Sequence, residues 1–129
     1  MRQMVALSLL QQQSASERLR GVSWAYRSEP TDGKVLDALV TAVNHDTNVN
    51  VRLAAVDALR TFAGSPVARQ AMVESLSRQE APLVQVALID WLVDVNDRNA
   101  AGGLRELASG ASVNDGVKQR AQWALERLQ

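Results

Sequence analysis
Val51-Arg52-Leu53-Ala54-Ala55-Val56-Asp57-Ala58-Leu59 decides the fold, because versions of it recur along the chain. A shift of 33 residues gives Val84-Gln85-Val86-Ala87-Leu88-Ile89-Asp90-Trp91-Leu92, with Val, Ala, Asp and Leu repeated in register and Val56 replaced by Ile89. A shift of 66 gives Val117-Lys118-Gln119-Arg120-Ala121-Gln122-Trp123-Ala124-Leu125, which keeps the Val51, Ala55, Ala58 and Leu59 positions and puts a base at the Arg52 position. A backward shift of 34 lays Arg18-Leu19-Arg20-Gly21-Val22 over Arg52 to Val56, the most diverged copy. Self-similarity at a period of this size is the mark of a repeat architecture.

A second apolar segment follows each copy. Val35-Leu36-Asp37-Ala38-Leu39-Val40-Thr41-Ala42-Val43 lies between the first two copies, residues 67–76 between the next two, and Leu104-Arg105-Glu106-Leu107-Ala108 before the last. Leu39 and Val43 match Met72 and Leu76 at the same 33-residue shift. Apolar residues at i, i+3, i+4 and i+7 predict amphipathic helices rather than strands. The expected helices lie near 3–12, 15–27, 33–45, 49–63, 66–79, 82–95, 99–109 and 114–128, the first two separate or continuous. The punctuation agrees. Ser65-Pro66 and Ala81-Pro82 open helices with Pro at the first position, and Ser14 to Glu17 fits a capping box. Thr31-Asp32-Gly33 and Asn114-Asp115 offer caps or turns, and Gly64 a helix stop.

The stretch from Asp46 through Asn48 and Val51-Arg52 to Leu59 resembles the signature of HEAT repeats. In that family an Asp ends one repeat, and a Val-Arg pair opens the next helix before an Ala-rich face. The resemblance places the structural Asp at Asp46 and the structural Arg at Arg52. The third repeat departs, with Glu80 and Gln85 at these positions; the fourth keeps Lys118, and the first keeps Arg18 without its Asp. The implied fold is all-α: a right-handed α-α superhelix, a short HEAT or armadillo-like solenoid of antiparallel helix pairs with about seven or eight helices. Residues 1–129 then form a single HEAT-repeat domain. Residues 1–13 are an apolar N-terminal arm or capping helix, 14–47, 48–80 and 81–112 are repeats, and 113–129 is a C-terminal capping helix.

A second resemblance covers residues 11–24, which are similar to the segment after the membrane span in some bacterial anti-sigma-factor-like proteins with a C-terminal HEAT region. It implies a sensory or regulatory part, periplasmic when it follows such a span and cytoplasmic as an isolated chain. A membrane enters only through an upstream segment of that kind.

Composition bounds the function. Apolar residues make up 47%, enough for a packed core. Fourteen basic and fourteen acidic residues cancel, so the charge balance offers no reason to expect nucleic acid. With no cysteine, disulfides, thiolate catalysis and Cys-type zinc sites are excluded. No phosphate loop, dinucleotide fingerprint, H-E-x-x-H pair or nucleophile elbow is present, so no cofactor is expected and the chain reads as a non-enzyme. His45, the single histidine, reads as an exposed helix-end residue, and Gly102-Gly103 as close packing or a weak helix start. The repeat accounts for Asp57 and Asp90, as outward polar residues or bonds to a neighbouring repeat. Arg18, Arg52 and Lys118 form a basic ladder, bonding Asp46 to Arg52 or one repeat to the next. Leu53, Val56, Leu59, Val86, Ile89, Leu92 and Leu125 are expected to fill between layers. Trp91 and Trp24 read as core, and Trp123, at the Asp57 and Asp90 position, as nearer the surface.

What remains is binding. In HEAT arrays the second helix of each pair lines the concave face. The resemblance therefore nominates Asp37, Thr41, Asn44, Gln70, Glu74, Arg78, Arg105 and Ser109 as exposed positions for a protein or peptide partner. The alternative is an oligomerising structural domain, a homodimer through residues 1–13, where Met4, Val5, Leu7, Leu9 and Leu10 are unusually apolar.

Overall fold
A computed structural model describes residues 2–27 and 32–128, so Thr31 and Gln129 lie outside it. Among the described residues there are eight α-helices and no strands. They are α1 (Arg2–Leu10), α2 (Ala15–Ala25), α3 (Gly33–His45), α4 (Val49–Ala58), α5 (Pro66–Arg78), α6 (Pro82–Asp94), α7 (Ala101–Ser109) and α8 (Asp115–Arg127). The expected first segment is two helices, broken at residues 11–14.

The 33-residue period reappears as a burial pattern. Val51, Val84 and Val117 are buried, as are Ala55, Leu88 and Ala121, then Ala58, Trp91 and Ala124. Val56 pairs with Ile89 and Leu59 with Leu92 in the same way. The diverged first copy obeys the rule through Gly21, Val22 and Ala25. On the alternate helices Leu39 and Val43 are buried, and so are Met72 and Leu76. Leu53, Val86 and Leu125 depart from expectation: all three are half-buried, on the edge of the stripe rather than between layers.

Caps explain the helix starts. Asp32 accepts from Lys34 N and Val35 N, Asn48 from Asn50 N and Val51 N, and Asn114 from Gly116 N and Val117 N. Each satisfies two amides that the helix leaves without partners. Ser65 Oγ accepts from Ala68 N at 3.2 Å, and Pro82 opens α6. Ser14 makes no side-chain cap, so the expected capping box does not form. The ends differ more. Gly64 does not take the left-handed conformation of a helix stop. Instead α4 tightens into a 3-10 turn over Leu59–Phe62, where Thr61 Oγ1 donates to the Ala58 carbonyl at 3.0 Å. The left-handed residue is Asn96, at φ 54°, closing α6 with bonds from Asn96 N to Val93 O and Asp97 N to Leu92 O.

Contacts cluster into two compact units, residues 1–68 and 69–129, with the boundary inside α5. In the first, α1 packs on α2 and α3 on α4; α2 also packs on α4, and α1 on α3. In the second, α7 packs on α8, and α6 also packs on α8. The α1–α2 contact depends on Gly21, where a Cβ would stand 2.8 Å from Leu10 N and 3.0 Å from Leu9 Cβ. A Cβ on Gly103 of α7 would meet Leu76 Cδ2 at an ordinary 3.4 Å, whereas one on Gly102 would meet open space.

Two substitutions test this packing by urea denaturation. Leu92→Ala, at a fully buried position, should cost about 2–5 kcal/mol. Gly21→Ala should cost about 1–3 kcal/mol by prising α1 from α2, although alanine is the better helix former.

Candidate functional site
The first unit is organised around Arg18 of α2. Its Nη1 donates to the carbonyls of Gln12 (3.0 Å) and Gln13 (2.7 Å) in the α1–α2 loop. Its Nε and Nη2 donate to the two carboxylate oxygens of Asp46, at 2.8 and 3.2 Å. Asp46 ends α3 and accepts from Asn48 N at 2.9 Å, placing the residue that caps α4. The side chains of Arg18 and Asp46 are 14% and 7% exposed, so this two-pronged pair is shielded from water and is not an ordinary surface bridge. The expected role of Asp46 is thus sharpened: it reaches back 28 residues, to the preceding copy of the ladder.

The ladder position has a recurring second job. Gln85 donates to the Gln79 carbonyl at 2.8 Å, six residues back, as Arg18 does to Gln12. By this spacing Gln79, not Glu80, corresponds to Asp46. Asp90 and Asp57 bind neighbouring helices, one of the two roles expected of them. Asp90 pairs with Arg120 of α8 at 2.6 Å, and Asp57 accepts from the Tyr26 hydroxyl while pairing with Arg60 at 3.4 Å. Arg120 also lies over the Trp123 ring, 3.7 Å from its centre, with Arg127 at 5.1 Å. Trp91 is fully buried and Trp123 half-buried, as expected; Trp24 is half-buried beside Arg27 instead of in the core.

The nominated binding residues fall on three helices. In the first unit Asp37 and Thr41 of α3 are exposed, and Thr41 Oγ1 donates to the Asp37 carbonyl at 2.8 Å. Asn44 is half-buried with Oδ1 turned inward, a poorer contact residue than its spacing suggested. In the second unit Gln70, Glu74 and Arg78 lie exposed on α5, with Gln70 bonded to Glu74 at 3.4 Å; Arg105 and Ser109 lie exposed on α7.

Thr41 also lines an open groove of about 360 Å³ with Leu10, Gln11, Ala38, Ala42, His45 and Asp46. Its two sides come from the α1 end and α3, and the Arg18–Asp46 clasp holds that end in place. The groove was partly legible: Ala38 and Ala42 are small residues one turn apart, flanked by Thr41 and His45. That Leu10 and Gln11 complete it was not, because the α1–α3 contact is tertiary. A second groove, about 630 Å³, lies in the second unit among Gln79, Glu80, Pro82, Gln85 and residues 111–114. Among the described residues no cluster of three or more His, Asp or Glu could hold a metal ion, and no helix is long and apolar enough to cross a membrane. Comparison with family models, curated proteins and solved structures finds no match.

The pKa of Tyr26 is pushed up to about 12 by burial and then by the Asp57 carboxylate it bonds, with Arg60 opposing. The neutral phenol is therefore favoured by folding. Its contribution is complete below the ordinary value of 10.0 and disappears as pH rises through about 12. Because the chain has a single tyrosine, tyrosinate absorbance reads this site alone. Asp57→Asn should move the midpoint part of the way back towards 10.0; an unmoved midpoint would show that the carboxylate does not act on the phenol. In the clasp, Arg18→Ala should cost about 3 kcal/mol in chemical denaturation, since it leaves a shielded carboxylate without its cation.

Proposed function
We propose that this chain is a non-catalytic interaction module, a short right-handed α-α superhelix of the HEAT type, which binds a protein or peptide segment along α3, α5 and α7. One observation carries the reading. Helices pack on sequence neighbours, α1 on α2, α3 on α4 and α7 on α8, and also on the next but one, α1 on α3, α2 on α4 and α6 on α8. That is how stacked helix pairs share a core that no single pair can close. The recurrence of the same buried positions every 33 residues adds to it. The binding face follows from chemistry: exposed carboxylate, hydroxyl, amide and guanidinium groups of mixed sign suit a polar protein surface. In the first unit, Thr41 and the groove beside it give the α1–α3 edge a defined concavity.

The test has two arms. A photoreactive residue at Thr41 should crosslink a discrete partner, identified by mass spectrometry. The variant Asp37→Ala, Gln70→Ala, Glu74→Ala, Arg78→Ala should lose capture at least tenfold while keeping its helicity and denaturation midpoint. Undiminished capture by that folded variant rejects the face.

A second reading, pairing of two copies through residues 1–13, draws on a separate observation. Met4 is 69% exposed, and Val5, Leu7, Leu9 and Leu10 are only half-buried although α1 packs on two helices. Light scattering of the native chain against Met4→Lys decides it: a dimer mass lost in the variant supports pairing, and monomer masses for both reject it. The anti-sigma-factor-like resemblance gains no support beyond residues 11–24, and the proposal does not extend to it.

A further inference from the structure
We draw no further inference here: the strongest candidate, the groove in the second unit between the start of α6 and the α7–α8 loop, carries nothing because its one ionised lining residue, Glu80, stands beside the uncapped and oppositely polarised N-terminus of α6, and nothing in the structure shows what would fill it.

Discussion
The Arg18 guanidinium closes two breaks in the chain at once. It holds the two carbonyls that α1 and α2 leave between them, it neutralises the aspartate that ends α3, and through that aspartate it sets the amide of Asn48 that starts α4. Planarity makes this feasible: a guanidinium presents donors in a fixed fork, so one edge can grip a carboxylate while the remaining nitrogen reaches backbone oxygens. A lysine in its place would offer the charge without the fork. The α1–α3 groove depends on this arrangement, because Gln11 and Asp46 stand at the two strands of chain that Arg18 ties together.

The second unit achieves comparable closure with weaker and more varied parts. Gln85 supplies a neutral hydrogen bond where Arg18 supplies charge-assisted ones. Arg120 moves the ion pair outward, where both side chains are about a third exposed and Arg120 gains from stacking on Trp123. At the position where two copies carry alanine, Trp91 fills the core completely, and its indole nitrogen has no acceptor among the described residues. Bulk and burial there compensate for an orphaned donor, an exchange that a shielded ion pair does not require. The repeat therefore preserves positions and geometry while its chemistry drifts.

This drift bears on function. The recurring Asp57 and Asp90 carboxylates are engaged by residues of other elements, Tyr26 at the end of α2 and Arg120 of α8. Among the outward side chains of α3, α5 and α7, Thr41, Gln70 and Ser109 bond within their own helices, to Asp37, Glu74 and Arg105.

Helix number, helix starts and the buried stripe were determined by the sequence alone, since all three are local or periodic. A 33-residue recurrence of small and branched apolar residues dictates which face turns inward, and Asp32, Ser65, Pro82 and Asn114 mark where helices begin. Tertiary structure decided the rest. Ser14 fits a cap motif yet makes no cap, and α4 ends through a 3-10 turn with Gly64 outside the left-handed region. Asp46 is bound by Arg18, 28 residues away, because the helix bearing Arg18 packs against α4 and brings the guanidinium to the end of α3. The groove exists for the same reason: Leu10 and His45 become neighbours only when α1 docks on α3, and spacing along a chain carries no record of which helices will meet.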